Sequence, residues 1–423
     1  MSENGGNFKS DNSGDTETRQ KFPLWAKIVV ALSLAFCLTM AGFIAGVIFS
    51  LMGNIFLSSF IPAIAAVVII FSVLLVFCRR RKLLWRLLGI FLLASALVIA
   101  GKGIYDKHIS SLTVVRSSDV NIWEYAPFVY GGPALEDGRE YPIVNPKLAQ
   151  LTDEPSLEFG EDDYLPRLDG ATALLPVYSA FAAATYPVAD YDVMDIKNSV
   201  VACATTASAY EKLIHGDADI IFVAAPSQKQ LDAAEAMGVE MVLTPIGKEA
   251  FVFFVNDKNK VNGLSTDEIR RIYGGEITNW SQVGGKNQNI RAFQREEGSG
   301  SQSALLRLME GHPLMEPPTE NVVYGMGGIV NRTSDYRNFS DAIGFSFRYY
   351  VTSMLGDGGI KLLSIDGVHP SVESIQDGSY PISNALFAVT LEDPHENATA
   401  LIEWILSPQG QYIVDKTGYV GIK

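Results

Sequence analysis

The chain has 423 residues, 48% of them hydrophobic and 19% charged, which is too apolar for one ordinary water-soluble protein. Of its 33 basic and 47 acidic residues, nine and four fall in the first 101 positions; the remaining 24 and 43 give the rest a net charge of −19, which excludes nucleic-acid binding through a basic face but leaves room for a locally positive pocket. The three cysteines (Cys37, Cys78 and Cys203) exclude a disulfide scaffold, and the five scattered histidines show no metal-ligand spacing, so neither a metal site nor a cofactor is expected.

In chain order, residues 1–22 are rich in Ser, Asn, Gly and Asp and read as a disordered cytoplasmic tail. Three apolar runs follow, and they predict three transmembrane helices at about 24–51, 55–78 and 83–101; a span needs about 20 apolar residues. Two further spans after the first exclude a single removable signal peptide, and Leu34-Ala35-Phe36 before Cys37 lacks the small residue of a lipoprotein site. Arg79-Arg80-Arg81-Lys82 joins the second and third runs, whereas Gly53-Asn54 joins the first and second without charge. The positive-inside rule then puts the N-terminus and the basic loop in the cytoplasm, and three crossings carry everything after Lys102 outside. Membrane lipid is thus one partner, and Gly42 and Gly46 form a small-residue pair suited to a helix-mediated homodimer.

Residues 102–165 have mixed polarity and many Pro and Gly, as expected of an extracytoplasmic stalk or wrapping segment, with Trp123, Tyr125 and Phe128 packing on the lobe or the membrane interface. From Leu168 the pattern alternates. Strands are expected at 200–202, 219–223 and 240–243, with helices at 207–214 and 228–237 between them. A second set has a strand at 251–255, a capping box at Ser265–Glu268 opening a helix through Tyr273, and strands at 343–346 and 360–365. Helices near 398–406 and 409–415 close the chain. The class is α/β, with a mainly parallel sheet, helices on both faces, and two lobes flanking a ligand cleft. Four sequons (at Asn279, Asn331, Asn338 and Asn397) are expected to stay unmodified.

Two short segments carry chemistry. Asp169-Gly170-Ala171-Thr172 precedes an apolar helix, so small residues and one hydroxyl stand at a helix start. Arg295-Glu296-Glu297-Gly298-Ser299-Gly300-Ser301-Gln302 joins a fixed charge, a glycine turn, two hydroxyls and unpaired backbone N–H groups before a helix expected at 303–309. That combination cradles an oxyanion, with the Arg295 fork supplying charge. Thr205 or Thr206, capping the helix after the first strand, is a third contributor. A P-loop, an activated Ser/His pair and a nucleophile elbow are missing, so binding rather than catalysis is expected.

These segments, with Gly216 to Ile221 and Ile277-Thr278-Asn279-Trp280, resemble the phosphate-binding proteins of bacterial high-affinity ABC-type phosphate transporters, over about residue 166 to the end. The resemblance implies a type II periplasmic-binding-protein fold, two lobes joined by two crossing hinge strands at Phe251–Val255 and Tyr380–Val389. The lobes are then 166–247 plus 382–423, and 248–381. It further implies that inorganic phosphate or a similar oxyanion is held by Thr172, Ala173, Thr206, Arg295, Ser299, Gly300 and Ser301, that Glu297 braces Arg295, and that permease subunits are partners. One position departs: where the family pattern has an aspartate that accepts the proton of phosphate, this chain has Ala224. Phosphate and sulfate are then poorly separated unless Ser227 or Glu297 substitutes.

Overall fold

The computed structural model describes residues 23–51, 55–77, 81–110, 114–115, 120–134, 140–317, 322–323, 336–355 and 359–422. The expected tail at 1–22, Gly53-Asn54, Arg79-Arg80 and the sequon at Asn331 lie outside them. The chain divides into two units, residues 1–111 and 112–423.

Among the described residues the first unit holds three helices, α1 (Leu24–Leu51), α2 (Ile55–Phe77) and α3 (Arg81–Ser110). All three are long and apolar enough to cross a membrane. Helix α3 runs nine residues past the expected end at 101, because Lys102 and Asp106 pair one turn apart and extend it. The small-residue face of α1 is already occupied. An added Cβ on Gly42 would stand 2.7 Å from the Ala65 Cβ, and one on Gly46 would stand 2.9 Å from the Pro62 Cγ. Those glycines let α2 of the same chain approach.

In the second unit, the segment that leads to the core is a wrap. A hairpin of β1 (Phe128–Ala134) and β2 (Glu140–Val144) is followed by an extended stretch to Leu165. Phe128 is buried against Tyr191, ring centroids 5.7 Å apart, and Phe159 meets Tyr186 edge-on at 5.6 Å. Trp123, by contrast, is half exposed. The carboxamide of Gln409 ties the wrap down by accepting from the Ser156 N–H at 2.8 Å and donating to the Glu154 carbonyl at 2.8 Å.

The α/β core follows, in the order β3 (Leu168–Gly170), α4 (Leu175–Thr185), α5 (Thr206–Ile214), β4 (Ile220–Ala224), α6 (Gln228–Met237), β5 (Met241–Asn256), α7 (Thr266–Tyr273), β6 (Arg291–Ala292), α8 (Gly300–Leu308), β7 (Ala342–Phe347), β8 (Ile360–Leu362), β9 (Ser383–Leu391), α9 (Glu396–Leu406), α10 (Pro408–Thr417) and β10 (Val420–Gly421). The sheet order is β3-β4-β9-β5-β7-β6, with β8 and β10 also pairing with β5. Within this sheet, among the described residues, only β3–β4 and β7–β6 are parallel; every pairing of β5 and β9 is antiparallel, so the expected mainly parallel sheet is a mixed one. Buried strands read as continuous apolar runs whatever their direction, which is why local pattern misjudged this.

Strand β5 is one 16-residue element where two were expected. Its first half pairs with β9, from Met241 opposite Leu391 to Ala250 opposite Ser383. Its second half pairs with β7, from Phe251 opposite Phe347 to Val255 opposite Ile343. Each half serves a different apolar core: Ile246 belongs with Tyr178, Phe181, Phe222 and Trp404, whereas Phe251 and Phe253 belong with Ile269, Tyr273, Trp280 and Leu305. A fully buried side chain of this size contributes about 1.5–3 kcal/mol, so each lobe is stable around its own centre while the strands run on between them. The expected strand at 200–202 is reduced to an isolated bridge, Val201 beside Leu168.

Candidate anion-binding site

Three helix starts meet at the boundary between the two cores. The first begins at the end of β3. Ala171 donates its N–H to the Phe222 carbonyl at 2.9 Å and caps a single 3-10 turn, Thr172–Leu174, that leads into α4. The second is α5, capped by Thr205, whose hydroxyl accepts from the Ser208 N–H at 3.3 Å; Thr206 is the first helical residue.

Asp169 fixes these two starts relative to each other. Its side chain is fully buried. One oxygen accepts from the N–H groups of Gly170 at 2.7 Å and Ala204 at 2.8 Å. The other meets Lys212 Nζ of α5 at 2.6 Å. A buried charge is tolerable only when paired and hydrogen-bonded, and this one has all three partners. Beside it the Cys203 thiol lies 3.8 Å from the Thr172 hydroxyl, and burial pushes the thiol up to about 11, so it stays protonated and donates.

The third start is α8. Gly298 takes φ +89°, a left-handed turn that β-carbon-bearing residues avoid, and Ser299 then caps the helix. Gly300 and Ser301 are therefore the first helical residues; the helix begins three residues earlier than expected because the Ser299 hydroxyl accepts from the Gln302 N–H at 3.2 Å. The Gln302 carboxamide also accepts from the Arg295 N–H at 2.8 Å, which holds the arginine backbone against the helix start. The Nε of Arg295 is buried and has no hydrogen-bond partner among the described residues.

A cavity of about 90 Å³ lies where these parts converge. All seven residues expected to hold the anion line it: Thr172, Ala173, Thr206, Arg295, Ser299, Gly300 and Ser301. The first N–H groups of a helix have no partner within it, and the helix dipole adds positive potential there. Several such termini and a guanidinium around one small space make a site for a compact anion. Local sequence missed Ser346, Phe347 and Tyr350, which form another wall at and beyond the end of β7. The signal available was their place after a predicted strand, since ligands in open α/β sheets sit beyond strand ends.

The two supporting residues are elsewhere. Glu297 is exposed and makes no ion pair with Arg295 among the described residues; its neighbour Glu296 lines the cavity instead. Ser227 caps α6, its hydroxyl engaged with the Gln230 carboxamide at 3.1 Å. Neither is positioned to replace a carboxylate at Ala224.

Behind the cavity the β5 crossing carries Glu249, 1% exposed, opposite Asn384 of β9. Its carboxylate accepts from the Ala250 N–H at 2.9 Å and the Tyr349 N–H at 3.1 Å, and Arg348 Nε lies 3.5 Å away. Burial outweighs these partners and pushes Glu249 up to about 7.

Residues 166–409 match the family model described as a PBP superfamily domain. The chain is 28% identical over 189 residues to the phosphate-binding protein PstS of Borreliella burgdorferi, covering 43% of this chain and 66% of that protein. It is 30% identical over 170 residues to PstS of Bacillus subtilis, covering 40% and 53%. The chain thus spans about half to two thirds of the length of these relatives. Among solved structures, it is similar to an ABC-type phosphate transport receptor from Vibrio cholerae, with 20% identity, TM-score 0.43, and 60% of this chain and 99% of that one covered.

Proposed function

The chain belongs to the PBP superfamily, and from that membership we propose that it is a membrane-anchored extracytoplasmic binding protein for inorganic phosphate that feeds an ABC-type phosphate transporter. The observation that carries the reading is the cavity where Arg295 presents a buried, unpartnered N–H among several helix N-termini. That these relatives are phosphate-binding proteins supports phosphate as the anion. Binding is by charge-assisted and neutral hydrogen bonds from Arg295, hydroxyls and amides, with no bond made or broken. Strands β5 and β9 act as the hinge, so the lobes close over the anion and remove it from water, where each of those bonds gains strength. The three apolar helices supply the anchor, and the basic residues Arg79 to Lys82 support an outward-facing domain. Permease subunits are the partners that receive the anion.

A second reading is favoured by one observation: three long apolar helices are more than a tether needs. On that reading the domain reports the oxyanion through its helices without delivering it. Equilibrium dialysis of the full-length protein in detergent against radiolabelled phosphate, paired with phosphate uptake by cells lacking the protein, tests both. Saturable one-to-one binding with lost uptake is the expected result. Binding with unchanged uptake moves the role to sensing, and no binding refutes both.

A further inference from the structure

The floor of the anion cavity is built differently from its walls. A second space of about 20 Å³ shares Ala171, Ala173, Thr206, Gly300, Phe347 and Tyr350 with the cavity and runs back to Ala224 and Leu386, with Glu249, Tyr349 and Tyr419 at its far side. The Ala224 methyl is buried, 3.4 Å from where a Cβ on Gly300 would stand. A space of this size admits one water or one methyl group, since a water occupies at least about 10–15 Å³ measured this way.

Water is a poor occupant. It needs about two to four polar partners; of the polar side chains lining the space, Glu249 and Tyr419 already have partners, and Thr206 adds one hydroxyl. Three donors already face the Glu249 carboxylate: the N–H groups of Ala250 and Tyr349, and Arg348. The Tyr419 hydroxyl donates to the Ala173 carbonyl. Glu296 lines the cavity above but not the space below. The donors that suit anionic oxygens (Arg295, Ser299 and Ser301) line the upper cavity and are missing from the lower one.

A tetrahedral anion has four corners. Hydrogen phosphate puts a P–OH at one of them, and that proton needs an acceptor if it is buried. Turned toward Ala224, it finds a methyl group. Resting on the reading of the cavity as a phosphate site, we infer that the corner facing Ala224 is best filled by a substituent that neither donates nor accepts a hydrogen bond. The site then takes methylphosphonate and phosphite, which carry P–CH₃ and P–H with three remaining oxygens, at least as well as it takes phosphate. The methyl or hydrogen enters the dry space while the oxygens keep Arg295, the hydroxyls and the helix amides.

Titration calorimetry of the full-length protein in detergent with phosphate, phosphite and methylphosphonate tests this, with Ala224→Asp as the diagnostic variant. In the wild type, methylphosphonate and phosphite are expected to bind no more than about threefold more weakly than phosphate, or more tightly. Ala224→Asp fills the space and restores an acceptor, so methylphosphonate is expected to lose at least about tenfold more affinity than phosphate does. A wild-type preference for phosphate above threefold overturns the inference; so does a phosphate preference that disappears in Glu249→Gln, which would make Glu249 the missing acceptor. If none of the three anions binds, the phosphate-site reading itself has failed, an outcome distinct from phosphate binding alone.

Discussion

Titrating Glu249 links stability to pH in a direction opposite to that of most carboxylates. Its ordinary value is 4.5, and burial in the β5 crossing raises it to about 7 in the folded protein, against the opposing pull of Arg348 and two backbone N–H groups. Between these two values the folded state holds a proton that the unfolded state has lost. Stability therefore falls as pH rises through this window and is level on either side of it. At about 1.36 kcal/mol per unit, a shift of this size costs about 3 kcal/mol once Glu249 is fully ionised. The assay is chemical unfolding of the full-length protein in detergent, followed by fluorescence of the buried Trp280 and Trp404, from pH 4 to pH 8. Glu249→Gln keeps the shape and removes the titration. The stability difference between variant and wild type should move in the variant's favour by about 3 kcal/mol from pH 4.5 to pH 7.5. A difference that does not change with pH refutes the argument that desolvation dominates at this position.

Three further outcomes follow from named contacts. Lys212→Met leaves the buried Asp169 without its countercharge and should cost about 3–5 kcal/mol in chemical unfolding, with a matching loss of melting temperature. Thr205→Ala removes the α5 cap and should cost about 1 kcal/mol by the same measurement. Gly300→Ala should leave stability within about 1 kcal/mol, since Ala suits a helix, yet its Cβ would stand 3.3 Å from the Thr206 hydroxyl and narrow the cavity. Phosphate affinity should then fall at least about tenfold, equivalent to one lost hydrogen bond.

Elements with local punctuation were legible in the sequence. Helix α7 runs as expected because Ser265 and Glu268 satisfy each other's backbone donors, and α6 because the Gln230 carboxamide accepts from the Ser227 N–H. The anion loop was legible for a related reason: a glycine turn, capping hydroxyls and an arginine are all short-range features, and the structure gathers every residue expected to hold the anion. What eluded the sequence is set by partners far along the chain. The polar stretch Thr244–Glu249 looks like a break, but β9 pairs along it and makes β5 continuous. Glu297 looked suited to brace Arg295, yet the Gly298 turn leaves Glu296 at the cavity and Glu297 in solvent. Ser346 and Tyr350 arrive at the site through the β7 pairing, which no local pattern specifies. Gly42 and Gly46 were recognised as a contact face, but only the structure identifies α2 as what covers it.

The central claim is that Arg295 and the surrounding helix starts hold a compact oxyanion. Calorimetric titration of phosphate into the full-length protein, alongside Arg295→Ala, tests it most directly. Losing a bidentate, charge-assisted contact of about 3–5 kcal/mol predicts saturable wild-type binding and at least a hundredfold weaker binding by the variant. Equal phosphate affinity in the two proteins, or saturable binding by neither, would contradict the claim.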